Sequence, residues 1–453
     1  MRRVWTAALG AAGVLAAGPG LAAESSPLPE WLSLSLESRI RYETLDGQFR
    51  AGGSGGDQIL SLRTLLAAEA DAGPVTFGLE LQDSRNYLAD AGTPLSVAFT
   101  NPFDILQAYV RLDAPKLPAA RLSEVTVGRF ILNYGSRRIV ERAEYANVQG
   151  GFTGAYWRTL WPAGHELHLH YSSPVVRFPS DRPSIEDNRL SGDQSEYAKR
   201  FWGVHYRRAG AVAGGWAEVF VYGQHEEDAP GEPSFNRDLV WPGFRLFRDG
   251  APGRLDWDLE VTHRTGKRRA TLSDADRTDL DVRATAVHAS LGYMLEGPSR
   301  LRMRAEIDYA SGDDDPFDGV SKQYERPFGN RRTDLGVTGI FGPFFPANIL
   351  APGARIEGVA GPRWDYRVIY KAAFLADKRD VWLAARLRDP SGRSGDFVGH
   401  QLEVRARYWV APRRLRLEPG VALLAKGRFA RTAPGAPATG DTLYGWLALT
   451  LTM

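Results

Sequence analysis

The chain contains no cysteine. That single absence excludes a disulfide scaffold, a thiolate zinc site and a cysteine nucleophile. Lysine is scarce as well: seven of the 56 basic residues are lysine, which leaves 49 arginines. The codon usage of a GC-rich genome accounts for such a bias without any function. A surplus of one charge sign is also missing. The 56 basic residues face 54 acidic ones for a formal net charge of +2, far from the basic excess expected of a nucleic-acid binder. Beyond residue 23 no uninterrupted apolar stretch approaches the ~20 residues of a spanning helix, which excludes a helical membrane bundle. No helical 3.6-residue periodicity of comparable length to the strand patterns below is present. Neither a P-loop nor a dinucleotide fingerprint occurs in the required strand–helix setting.

The first residues read as an address. Arg2 and Arg3 precede the apolar run 4–17, which breaks at Gly18, Pro19 and Gly20 and is followed by Ala22 and Ala23. This is the pattern of a secretory signal peptide, here residues 1–23, cleaved near Ala23. Without Arg2 and Arg3 the mature chain is formally neutral. Residues 24–453 are then expected to form a single domain that is periplasmic, secreted or set in an outer membrane.

What is abundant is alternation with a period of two, the mark of strands with two unlike faces. In 31–43, Leu32, Leu34, Leu36, Ile40 and Tyr42 share one face and Glu37, Arg39, Arg41 and Glu43 the other. In 255–264, Leu255, Trp257, Leu259 and Val261 oppose Asp256, Asp258, Glu260 and Arg264. In 301–309, Leu301, Met303, Ala305, Ile307 and Tyr309 oppose Arg302, Arg304, Glu306 and Asp308. The segments 75–83 and 400–408 repeat the pattern. Rows of charge on one face argue against a soluble sandwich, because burying them in a dry core costs several kcal/mol per ion before pairing. A water-filled lumen removes that cost.

Short connections (71–74, 161–164, 209–214, 248–254, 295–300, 361–362, 411–412) alternate with long polar ones (44–57, 86–102, 131–151, 174–198, 226–238, 267–280, 311–348, 376–397, 430–440). A transmembrane antiparallel β-barrel has this rhythm, with short periplasmic turns and long extracellular loops. The count between connections predicts an all-β fold of 18 strands, with 349–360, which holds Pro352, the weakest of them.

Three stretches then resemble the alginate-export family of outer-membrane porins, whose barrel is 18-stranded. The first is 128–157, with Gly128, Arg129, Tyr134, Gly135, Arg138, Tyr145, Asn147, Phe152 and Gly154 in the family's order. The second is Tyr309-Ala310-Ser311-Gly312-Asp313 with Asp318 and Gly319, and the third is 398–429, with Gly399, Glu403, Tyr408, Gly420, Gly427 and Phe429. The chain departs from the pattern at its last residue, Met453, where such barrels end in an aromatic, and 320–346 fits the loop pattern only loosely. The resemblance implies a bacterial outer-membrane location and a passive channel for an acidic polysaccharide through an arginine-rich constriction. It also implies outer-membrane lipid and a periplasmic helical-repeat scaffold as partners. No cofactor and no nucleic acid are expected.

Strand parity sends Arg39, Arg41, Arg63, Arg264, Arg304, Arg367, Lys371, Arg405 and Arg407 to the lumen, and the family motif adds Arg129 and Arg138. Arginine rings favour anions, since a narrow low-dielectric passage focuses their field. The guanidinium fork also meets a carboxylate with two hydrogen bonds. Pairing with lumen acids such as Glu37, Glu80, Asp256, Glu260, Glu306, Asp308, Asp365 and Glu403 is the structural alternative for each of them. The expected pore-lining set is Arg39, Arg41, Arg63, Arg129, Arg138, Arg304, Arg367, Arg405 and Arg407.

Other candidates are weaker. His168 and His170 share a face but lack a third convergent ligand. Asp313, Asp314, Asp315 and Asp318 offer carboxylate oxygens for Ca²⁺ without the spacing of an EF-hand. The run 52–56 satisfies G-x-S-x-G only formally, in a glycine-rich loop. Trp157, Trp161, Trp202, Tyr206, Trp241, Trp257, Trp364 and Tyr408 are expected at strand ends or on the outer face, as interfacial girdles. The chain is therefore read as a channel and not an enzyme. Uptake of small organic anions is the alternative, and an outer-membrane lipid hydrolase using an outward Ser–His pair is a distant third.

Overall fold

The computed structural model describes residues 28–230, 232–329 and 331–453; the signal peptide expected at 1–23 lies outside the described residues. Alternating sequence becomes wall. The strands are β1 Leu32–Asp46, β2 Asp57–Asp71, β3 Val75–Tyr87, β4 Asn101–Asp113, β5 Leu122–Phe130 and β6 Phe152–Leu160. They continue as β7 Glu166–Val176, β8 Lys199–Ala209, β9 Trp216–Glu226, β10 Asp238–Arg248, β11 Arg254–Arg269 and β12 Asp279–Met294. The last six are β13 Arg302–Ala310, β14 Ile349–Val359, β15 Trp364–Phe374, β16 Phe397–Ala411, β17 Leu415–Lys426 and β18 Thr442–Thr452.

Each strand pairs antiparallel with its sequence neighbours, and β1 pairs with β18 from Glu37↔Thr452 to Asp46↔Leu443. The result is a closed 18-strand antiparallel barrel. Closure removes the open sheet edges that would otherwise face hydrocarbon with unpaired N–H and C=O groups. Pro352 is accommodated inside β14, opposite Ile307 of β13.

The two faces sort as the alternation predicts. Leu34, Leu66, Phe77, Leu79, Val219, Leu255, Leu291 and Leu447 point outward and are exposed, whereas Arg39, Arg41, Arg63, Glu80, Glu260, Glu306 and Glu403 point inward and are buried. The outward belt would be an aggregation surface in water and suits lipid. Trp241 departs from its expected place in a girdle. It is 1% exposed on the inner face, and its indole N–H donates to the Glu325 carbonyl at 3.2 Å. The long loop 311–348 folds back over that part of β10 and makes an inward aromatic the better-packed choice.

Short connections gather at one rim with both chain ends of the barrel, and long loops gather at the other. Two of the long loops, 131–151 and 311–348, do not stay at the rim. Their apolar residues Tyr134, Ile139, Val148, Tyr324, Leu335, Val337, Ile340, Phe341 and Phe344 are buried within the barrel.

Candidate functional site

Parity places Arg39 and Arg63 directly opposite each other on β1 and β2. Like charges at facing positions repel, so the pair needs negative groups between them. The tip of loop 131–151 provides these. Arg39 donates to the carbonyls of Glu144 (3.0 Å) and Ala146 (2.9 Å), and Arg63 to the same two at 2.8 and 2.6 Å. Arg41 donates to the carbonyl of Tyr145 at 2.6 Å, and its guanidinium stacks 4.1 Å from that ring. Asn147 completes the docking by donating to the carbonyls of Leu62, Arg85 and Phe99. The aromatic-x-Asn motif at 145–147 is thus the point where a loop is clamped to the inside of the wall.

Loop 311–348 is fixed in the complementary way, by wall acids that accept its backbone N–H groups. Glu43 accepts from Ile340 at 2.9 Å and Glu403 from Val337 at 2.7 Å. Arg264, another residue that parity sends inward, donates to the Gln323 carbonyl and pairs with Glu325 at 3.1 Å. Arg138 joins the two loops to the wall: it pairs with Asp334 (2.9 Å), Glu260 (2.9 Å) and Asp258 (3.2 Å). Gly339 must be a glycine here. Its φ is +70°, and a Cβ would lie 1.9 Å from Glu43 Oε2.

Most of the arginines expected in the pore meet acids. Arg41 pairs with Glu43 at 2.7 Å, Arg63 with Glu37, Arg129 with Asp104 at 3.7 Å, and Arg304 with Glu306 at 3.9 Å. Arg367 pairs with Glu403 at 2.7 Å, while Arg405 and Arg407 share Asp365 at 3.2 and 2.8 Å. Of the nine, Arg39 alone has no carboxylate within 4.0 Å among the described residues.

Two cavities flank the clamped tip, and segment 141–147 is their shared wall. The cavity toward the short turns, about 550 Å³, is charge-balanced: Arg39, Arg63, Arg142 and Arg416 against Glu37, Glu69, Glu80 and Glu144. The cavity toward the long loops, about 690 Å³, is not. Six arginines line it (Arg41, Arg50, Arg182, Arg331, Arg332 and Arg386) against one carboxylate, Glu141. Burial and then the Glu144 charge push the Glu141 carboxyl up to about 8, so at neutral pH even that acid is mostly uncharged. Among the described residues, no carboxylate lies within 4.0 Å of Arg50, Arg331 or Arg386. Burial, then Arg50 and Arg326, hold the Arg331 guanidinium down; burial lowers Arg50 too, with Asp57 opposing and Arg386 adding to it.

Parity says nothing about loops, so Arg50, Arg142, Arg331, Arg332 and Arg386 escaped sequence reading. One signal was present. The segment 336–347 carries Val337, Ile340, Phe341, Phe344 and Phe345, too apolar for a solvent loop and therefore expected to bury itself and carry its flanking arginines inward.

The remaining candidates resolve into ordinary pairs. Lys322 holds Asp314 (2.6 Å) and Asp318 (2.7 Å) of the acidic loop containing Asp313 and Asp315. His168 bonds Tyr156 at 2.6 Å and Glu166 at 2.9 Å. Among the described residues one trio could converge on a metal, His288, Asp308 and Asp334. Its acids are already neutralised by Lys371 at 2.6 Å from Asp308 and by Arg138 on Asp334, which leaves no charge deficit for a cation to fill.

Residues 30–442 match the alginate export family. No curated protein matches the sequence. The fold is similar to that of Pseudomonas aeruginosa OccK9 (OpdG), with a TM-score of 0.60 at 14% identity over 93% of this chain and 98% of that one. It is also similar to Pseudomonas aeruginosa OccK2 (OpdF), solved in complex with glucuronate, with a TM-score of 0.57 at 12% identity over 93% and 96%. Acinetobacter baumannii OccAB2 gives 0.58 at 13% identity over 93% and 98%. At these identities the likeness is one of fold.

Proposed function

The chain belongs to the alginate export family and is an outer-membrane channel, and from that premise we propose that it passes acidic saccharides or similar organic anions passively across the bacterial outer membrane. Family and fold point to a non-enzymatic transporter. The observation that carries the anionic cargo is the unbalanced cavity at the long-loop end, where Arg50, Arg331 and Arg386 lack carboxylate partners. A guanidinium about 6 Å from a permeating anion contributes about 0.7 kcal/mol even at the dielectric of water, so two or three of them give roughly a tenfold preference or more. Screening at physiological salt trims this, since the Debye length is then about 8 Å.

In this reading the strand arginines Arg39, Arg41 and Arg63 act mainly as clamps that set the width of the passage, while the loop arginines set its charge. A small acid is favoured as cargo over a long chain because the clamped tip divides the lumen into two small cavities. The glucuronate complex of the similarly folded OccK2 supports an acidic sugar. The test is the reversal potential of the purified protein in a planar bilayer across a tenfold KCl gradient. An anion-selective potential is expected; a cation-selective one refutes the proposal.

A further inference from the structure

The three carboxylate-free arginines of the long-loop cavity come from three different loops, 47–56, 311–348 and 375–396. Two of them sit over aromatic rings. The Arg50 guanidinium lies 4.4 Å from the Phe49 ring, and the Arg331 guanidinium 3.6 Å from the Phe345 ring. Their backbone anchors meet on one segment: Arg50 donates to the Phe341 carbonyl, and Arg331 contacts the carbonyls of Gly342 and Phe344 at 3.4 Å. A guanidinium has five N–H donors. Arg50 uses two of its groups, on Gln48 and Phe341, and the rest of the fork borders the cavity.

Such an arrangement is expensive unless something negative visits it. Three neighbouring cations, two of them set over aromatic rings, suit a carboxylate, which a guanidinium fork can meet with two hydrogen bonds. The wall next to them is apolar, formed by Leu95, Phe345 and Leu383, which suits the C–H face of a sugar ring. The volume of about 690 Å³ lies within the roughly 300–1,000 Å³ range of small-molecule sites. In the cavity toward the short turns the charges of the lining residues cancel.

We infer that Arg50, Arg331 and Arg386 form a binding site for the carboxylate of a small sugar acid, reached from the extracellular side and absent from the periplasmic side. The inference rests on the anion-channel reading above and adds to it a location, a size class and a sidedness.

The test is current block in single channels of known orientation. Sodium glucuronate, glucose and inorganic phosphate are each added to one side and then the other. Glucuronate from the long-loop side is expected to block at a concentration at least tenfold lower than from the short-turn side. The double variant Arg50→Lys/Arg331→Lys keeps the charge but loses the forks and should erase most of that difference. Arg386→Gln, at an exposed side chain, should weaken block several-fold in a barrel whose folding is confirmed by heat-modifiable migration. Equal block from both sides, or block unchanged in Arg386→Gln and in the double lysine variant, overturns the site. Glucose as potent as glucuronate reduces it to steric occlusion, and phosphate as potent as glucuronate refutes the sugar-acid assignment. Failure here leaves the wild-type reversal potential anion-selective, whereas failure of the anion-channel reading appears in that potential itself.

Discussion

Removing positive charge from a pore for anions ordinarily lowers its conductance; at Arg39 and Arg63 the structure calls for the opposite. The double variant Arg39→Ala/Arg63→Ala deletes four hydrogen bonds to the carbonyls of Glu144 and Ala146. At a net value of about 0.5–1.5 kcal/mol each, the docked tip loses roughly 2–6 kcal/mol. Each ~1.4 kcal/mol is tenfold, so the undocked population rises by a factor between roughly 30 and 10⁴. Arg41 on Tyr145 and Asn147 on three carbonyls remain, so the tip is expected to fluctuate between states and not to leave altogether. Single-channel recording should show a larger maximum conductance with frequent steps between levels. Glu37→Gln is the control, since it removes the carboxylate partner of Arg63 and leaves the carbonyl bonds in place. A lower conductance with a quiet trace in the double variant would refute the reasoning, because it would mean that the two arginines act as pore charges and not as clamps.

Two further outcomes follow from the loops. Gly339→Ala adds a Cβ at φ +70° within 1.9 Å of Glu43 Oε2, and alanine at positive φ costs more than about 1 kcal/mol; the barrel should keep its β-sheet circular dichroism while loop 311–348 becomes susceptible to limited proteolysis, and unchanged resistance would count against the docking. For Glu141, whose carboxyl sits at about 8, the sign is that of an acid: uncharged below that value and anionic above it. Raising the pH from 6 to 9 at constant salt should therefore reduce anion selectivity with a midpoint near 8. Its titration is shaped by Glu144 beside it and by Arg137, Arg326 and Arg332 facing it. Glu141→Gln should abolish the pH step, and a step that persists in that variant assigns it to another group.

The contrast between wall and lumen shows how far a sequence of this kind can be read. Wall residues obey one rule, parity, and parity is set by the pleat: Arg39 and Arg41 face inward because Ile40 faces outward. That is why strand number, the order of short and long connections, and the inward set were legible, down to the strand containing Pro352. Tertiary packing overrode the expected outward placement at Trp241, which is buried against loop 311–348. The pore was not legible, because what divides a lumen is decided by which loops fold back, and that depends on contacts between residues far apart in sequence. Arg39 meets Ala146 across 107 positions and Glu43 meets Ile340 across 297. No local pattern encodes such pairs; only the composition of 336–347 and the tight 145–147 motif hinted at them.

The same logic reassigns the arginines. A residue on a strand is held in a lattice with fixed neighbours, and evolution can place an acid two residues away on the same face, as with Arg41 and Glu43 or Arg405 and Asp365 across the register. Such a charge is neutralised locally and serves rigidity. A residue on an inward-folded loop has no such lattice, and can be left without an acid where the passage needs a field. Arg50, Arg331 and Arg386 are in that position. For a barrel of near-zero total charge, selectivity is therefore expected to follow from the loops, and exchanging loop residues should change cargo preference with the wall left untouched.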